Sequence, residues 1–303
     1  MINFTFVFLT KNRKDIFESL NSCLQINSDE INAKVVIVDG NKTNLIDQSI
    51  NKLKHFEDKI KIIKQKKGKF MRSCILGVQE LKTNYFTFMY DDDLLHKDFQ
   101  KLIKIAAKEK CFVFSNGAGN LKKNIPLDFT NTNIHHFKSD EIKDHFINYK
   151  KFKDRYFPVT PICSVFSSQI LEEWLELIQL SLKKRIFAYY LMKKNIGPDL
   201  LLYLLSVLRN KKIIYVNLNI AQFTAHKNSM TVVYGQSNCR IGYWLARKLI
   251  LEKYNKEFKK NKIFNLKLFY KGIVYFVLQT FNKNKFKQHK SIIFLREVFS
   301  IYV

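Results

Sequence analysis

Three consecutive carboxylates, Asp91, Asp92 and Asp93, close the apolar, β-prone stretch Asn84-Tyr85-Phe86-Thr87-Phe88-Met89-Tyr90. Like charges this close repel, so without a counter-ion at least one carboxyl is partly neutralised. An oxygen-seeking divalent cation that also binds a ligand's phosphates turns this repulsion into coordination. The plainer alternative is a solvated acidic turn whose Asp93 caps the following helix. Other chemistry-bearing residues also follow apolar runs: Thr10, Asn12 and Arg13 after Phe4–Leu9, Asp39 after Lys34–Val38, and Gly68, Lys69 and Arg72 beyond Ile60–Ile63. Arg72 and Lys69 suit phosphate oxygens. Together with Lys61, Lys64, Lys66 and Lys67, they equally suit a solvated basic face.

These residues must be positioned by the segments between them. The chain reads as strand, loop and helix repeated, with helical patterns over 16–24 and near 70–81. Strands that alternate with helices at this spacing predict βαβ units and a mostly parallel sheet. Right-handed crossovers bring the C-terminal ends of the four strands to one edge, where open α/β sheets bind ligands. Thr10 to Arg13, Asp39, Gly68 to Arg72 and Asp91 to Asp93 are thus expected to converge. Asn116-Gly117-Ala118-Gly119-Asn120 reads as a loop that lacks the rest of a dinucleotide fingerprint, and Phe157 to Pro161 as a turn entering a strand over 162–166. Gly197-Pro198-Asp199 before Leu200–Leu205 is a plausible helix start.

Phe-Leu-Thr-Lys-Asn-Arg at 8–13, Val-Val-Ile-Val-Asp-Gly at 35–40, Gly68 with Arg72, and Phe-Met-Tyr-Asp-Asp-Asp at 88–93 together resemble the ordered motifs of family-2-type glycosyltransferases. The likeness extends more faintly to Gly197–Leu200 and His226–Thr231, so it spans roughly residues 3–232. It implies the GT-A nucleotide-diphospho-sugar transferase fold, an α/β sheet flanked by helices, here with a helical basic C-terminal extension. The expected divisions are a nucleotide-sugar-binding half (1–115), an acceptor-binding half (116–234) and the extension (235–303). By the same resemblance, Thr10, Asn12, Arg13, Asp39, Gly68, Arg72, Asp91 and Asp92 contact the nucleotide sugar. Mn²⁺ or Mg²⁺ is held by Asp91 with Asp93, or by Asp92 with Asp93, within reach of His226. Asp199 is the base for the acceptor hydroxyl. Two departures stand out: Tyr90 occupies a position where the family usually carries a carboxylate, and Asp39-Gly40-Asn41 supplies one acid where two are common. Asp39 can still accept hydrogen bonds from a base or ribose.

The chain has 303 residues and is 47% hydrophobic, enough for a substantial core. Its five cysteines form no Cys-x-x-Cys pair, which fits reduced thiols in a cytosolic protein, and Met1 leads straight into the first strand without a secretory leader. Net charge is +26, and residues 240–303 hold fifteen Lys or Arg against three Glu. Ile263–Phe281 is too interrupted to span a bilayer. It fits an interfacial helix on an anionic membrane, at the inner face of the cytoplasmic membrane, or a helix packed on the catalytic domain. A lipid-linked or other glycan acceptor would suit that location. Two other classes compete. A basic nucleic-acid-binding protein lacks a specific-binding motif here, and its scattered charge gives only non-specific affinity. A nucleotidyltransferase-like enzyme would carry a Gly-rich loop after the first strand, whereas Leu9–Arg13 has no glycine.

Overall fold

The computed structural model describes all residues except 12, 42, 66–69, 120–126, 131, 149–150, 153–154, 158, 225–229, 255–261, 282–287 and 301–303. The chain divides into two compact units. The first comprises Met1–Ile142, Phe157–Leu171 and Ser206–Thr224; the second comprises Lys143–Tyr156, Glu172–Leu205 and Ala225–Val303.

The first unit is built on a nine-stranded mixed sheet. Strands β1 (Ile2–Thr10), β2 (Ile31–Asp39), β3 (Ile60–Lys64) and β4 (Tyr85–Tyr90) run parallel in the order β3-β2-β1-β4. The near-continuous apolar sequences of β1, β2 and β4 arise because both faces of the sheet are covered there, whereas the edge strand β3 mixes Ile with Lys and is largely exposed. On one face, Phe4, Phe6 and Phe8 are fully buried together with residues of α1 (Phe17–Leu24) and α4 (Phe99–Glu109), and Phe99 packs edge-on against Phe4. On the other face, α3 (Phe70–Gln79) lies so close to β1 that a Cβ at Gly77 would stand 2.2 Å from Val7 Cγ1. The short α2 (Asp47–Asn51) lies between β2 and β3, and β5 (Leu94–Leu95) follows the triple Asp. The sheet continues through β10 (Ser164–Ser167), β6 (Phe112–Ala118) and β11 (Lys212–Gln222), with β7 (Ile134–Lys138) and β5 both antiparallel to β11.

Two local expectations change. Asn116, Gly117 and Ala118 form the end of β6, not a loop: irregular register lets them pair with Asn219, Ala221 and Gln222 of β11. Gly117 makes this feasible, since a Cβ there would fall 2.2 Å from the Phe223 ring. Asp93 does not cap a helix either. The next helix starts at Phe99, and Asp93 instead accepts a hydrogen bond from the Thr224 N–H at 3.3 Å.

The second unit is helical. Helix α5 (Ser139–Asn148) leads into the small hairpin β8 (Lys151–Phe152) and β9 (Arg155–Tyr156). The rest comprises α6 (Leu171–Leu182) from Glu172 on, α7 (Arg185–Phe187) with a following π-turn over Ala188–Lys193, α8 (Pro198–Arg209) as far as Leu205, α9 (Met230–Lys253), α10 (Lys262–Phe281) and α11 (Gln288–Phe299). Two buried indoles tie it together, each donating to a backbone carbonyl: Trp174 to Pro198 at 3.0 Å and Trp244 to Leu268 at 2.8 Å. Trp244 also packs edge-on against Phe294 of α11. Among the described residues, no helix is long and apolar enough to cross a membrane.

Candidate active site

In the parallel register, Thr10 lies opposite Asp39, Leu9 opposite Tyr90, and Asp39 opposite Lys64. The ends of β1, β2, β3 and β4 therefore share one edge, and their polar residues are joined directly. The Thr10 hydroxyl donates to Asp91 Oδ2 at 2.9 Å, the Lys11 N–H donates to the same oxygen at 3.1 Å, and the Ser19 hydroxyl donates to the Asp91 carbonyl at 3.1 Å. Gly40 N–H donates to the Thr10 carbonyl at 2.9 Å, closing the β1 and β2 ends.

Arg13 supplies positive charge to this cluster. Its Nη2 donates to Asp92 Oδ2 at 3.0 Å, and its Nε lies 3.4 Å from Asp91 Oδ1. Even so, burial pushes the Asp91 carboxyl above its ordinary range, against the pull of its bonds from Thr10 and Lys11. Burial, reinforced by the Asp92 charge, pushes Asp93 up to about 7. Arg13 thus satisfies one side of the triad, while Asp93 holds negative charge poorly.

Asp39 is fully buried. Its Oδ1 accepts the Asn41 N–H at 2.9 Å, and its Oδ2 accepts the Lys64 ammonium at 2.6 Å. Arg72 is exposed on α3. Asn12, Gly68, Lys69 and His226 lie outside the described residues. Tyr156 is in β9, and Phe157 is buried against Phe114 and Tyr215 in the first unit.

Asp199 belongs to the second unit. It sits in the first turn of α8, as the Gly-Pro-Asp signal leads one to expect. Its Oδ1 accepts the Leu200 N–H and its Oδ2 accepts the Tyr243 hydroxyl, both at 2.9 Å. Burial pushes the carboxyl up to about 6, against these two bonds. The sequence reading missed Tyr243, Ser19 and the Lys64 partnership with Asp39. Only the last carried a signal, because parallel pairing of Val38 with Ile63 sets Asp39 beside Lys64.

A doubly covered α/β sheet whose parallel half ends in linked carboxylates, with a helical C-terminal part, is the GT-A type nucleotide-diphospho-sugar transferase fold. The chain belongs to glycosyl transferase family 2: the family's model matches residues 5–175, more than half of its length. It is a glycosyltransferase. The match takes in Thr10, Arg13, Asp39 and Asp91–Asp93 and ends before Asp199 and His226. Similar solved structures include S. aureus TarS 1-349, at TM-score 0.54 and 13% identity over 100% of this chain and 72% of that one. The same protein in complex with UDP-GlcNAc gives TM-score 0.57 and 13% identity over 91% and 81%, and in complex with UDP gives 0.52 and 13% over 88% and 75%. At this identity the likeness concerns the fold. No curated protein matches the chain significantly.

Proposed function

We propose that this glycosyltransferase moves a sugar from a nucleotide-diphosphate donor to a glycan or lipid-linked acceptor, with inversion at the anomeric carbon and with Mn²⁺ or Mg²⁺, in the assembly of a bacterial surface polysaccharide. The observation that carries this reading is the linked edge of Thr10, Arg13, Asp39 and Asp91, placed where α/β sheets take ligands. The complexes of TarS with UDP-GlcNAc and UDP support uridine diphosphate as the carrier to test first.

Hard oxygen donors and charge that burial leaves poorly compensated make Asp91 and Asp93 suitable for a divalent cation. Among the described residues, no group of three or more His, Cys, Asp or Glu forms a metal-binding cluster. Two carboxylates completed by substrate phosphates are a usual arrangement for Mg²⁺. Asp91 and Asp93 would hold the ion, with His226 as a further candidate, and the bound ion would neutralise charge on the leaving diphosphate. Asp39 would accept from the base or ribose. Asp199 takes the proton of the acceptor hydroxyl as its oxygen bonds to the anomeric carbon, while the bond to the diphosphate breaks and its electron pair leaves with the phosphate. Displacement from the opposite face inverts the configuration.

Thermal unfolding with nucleoside diphosphates, with and without Mn²⁺, tests the donor and metal together. A ligand at about 100 times its Kd stabilises by about 2.7 kcal/mol. UDP with Mn²⁺ is expected to raise the Tm of the parent protein. The double variant Asp91→Asn, Asp93→Asn should keep its own Tm and lose that rise. A metal-dependent rise of equal size in the double variant would sink this assignment.

A further inference from the structure

Two glycines bring Tyr243 to Asp199. Gly197 has φ +113°, and a Cβ on it would stand 2.8 Å from the Gly242 carbonyl oxygen. Conversely, a Cβ on Gly242 would stand 2.3 Å from Ile196 Cγ2 and 2.8 Å from the Ile196 carbonyl oxygen. Backbone therefore meets backbone where α9 crosses the turn entering α8, and the residue after Gly242 reaches the carboxylate. The Trp174 indole, bonded to the Pro198 carbonyl, holds the same turn through a second contact. A phenol placed by this much close packing does more than fill space. A partly buried carboxylate that must accept a proton works best in one rotamer and with its ionised form favoured, and a hydroxyl donor provides both.

We propose that Tyr243 is a positioning residue for sugar transfer: its hydroxyl fixes the Asp199 carboxylate and favours the ionised form that accepts the proton of the acceptor hydroxyl. The proposal rests on the reading of Asp199 as the base. From α9 the carboxyl is faced by Tyr243 and by Cys239, one turn earlier. Burial and the nearby Asp199 charge raise the Cys239 thiol, which is thus kept protonated and adds no charge at neutral pH. From the start of α8 it is faced by the backbone N–H groups of Gly197, Asp199 and Leu200. Burial opposes ionisation, and these donors with the Tyr243 hydroxyl favour it, leaving the group at about 6. Activity that needs ionised Asp199 therefore rises with pH through that region.

The test is the pH profile of kcat/KM for the full chain, with Asp199→Asn and Tyr243→Phe beside the parent. Asp199→Asn is expected to retain UDP binding and lose transfer by about 10²-fold or more. Tyr243→Phe should move the acidic limb to higher pH by about half to one unit, because a bond to the charged form is gone. It should lower kcat near neutrality and leave the donor KM unchanged. A limb that stays put in Tyr243→Phe while Asp199→Asn is inactive overturns the positioning role and leaves the base assignment standing. An active Asp199→Asn overturns the base and the positioning role together. If Tyr243→Phe fails to fold, a fluorinated tyrosine at 243 decides the question. It keeps the ring and donates more strongly, so the limb should move to lower pH, and an unmoved limb overturns the proposal.

Discussion

Burying a carboxylate is costly unless its oxygens find partners, and both oxygens of Asp39 do. The Asn41 N–H is supplied by the turn itself, whereas the Lys64 ammonium reaches in from a side chain that is 47% exposed. Removing Lys64 leaves one oxygen of a fully buried group unpaired. Lys64→Ala is therefore expected to destabilise the protein by about 1–3 kcal/mol in urea unfolding, with its partial exposure favouring the lower end. Adding Asp39→Asn should recover much of that loss, because the stranded charge is removed. Equal stability of Lys64→Ala and the parent would show that water replaces the ammonium without cost. This pair also marks how far individual residues were legible in the sequence. Asp39 and Lys64 each end a recognisable strand, so their pairing follows once the strands are set side by side. The Arg13 bridge to Asp91 and Asp92 depends on how a loop folds back, which no spacing reveals. Tyr243 was invisible for a different reason: its partner Asp199 is 44 positions away, on another helix with no motif linking the two.

At the scale of elements, β1, β2 and β4 were legible because burial on both sheet faces leaves continuous apolar runs, and α1 and α3 because of their helical patterns. By contrast, β3 is a weaker, more exposed run and α2 gave no signal; the observed strand ends lie within three residues of the expected ones. The end of β6 was not. Asn116 to Ala118 has turn-like composition, but pairing with β11 and the seat for Phe223 outweigh local propensity. The start of α8 was legible from Gly-Pro-Asp, yet nothing in the spacing links Gly197 to its counterpart Gly242. That counterpart carries a testable consequence. In Gly242→Ala the new methyl meets the Ile196 carbonyl, a backbone atom that cannot swing aside, so α9 must move. Overpacking of this kind costs about 1–3 kcal/mol. Because α9 also carries Tyr243, kcat should fall with the stability while UDP affinity is retained. Full activity in Gly242→Ala would mean that the close approach of α9 is irrelevant to transfer.

At the scale of the whole molecule, two of the three C-terminal acids, Glu252 and Glu297, are spent on internal ion pairs. Glu252 pairs with Lys184 at 3.1 Å and also with Lys248, and Glu297 pairs with Lys248 at 2.9 Å and Lys184 at 3.4 Å. Arg296, one residue before Glu297, is exposed, as is Phe299. On α10 the exposed apolar residues Leu266, Tyr270 and Val277 fall at spacings of four and seven, hence on one helix face, while Leu268 and Gly272 are buried on the opposite one. Two copies of a chain with net charge +26 repel, whereas an anionic bilayer offers both a counter-charge and an apolar layer shallow enough for an interfacial helix. Each basic residue near such a surface contributes about 1 kcal/mol. We propose that this face holds the enzyme against the membrane that carries its acceptor. The full chain is expected to co-sediment with vesicles containing anionic lipid, less so as salt rises, and not with neutral vesicles. Replacing Leu266, Tyr270 and Val277 with Glu should release it without lowering Tm, since those side chains face solvent. Truncation is the poorer test, because ending the chain near Gly235 would also delete the buried Trp244. Equal sedimentation of parent and variant, or none of either, would return α10 to the role of a packed structural helix.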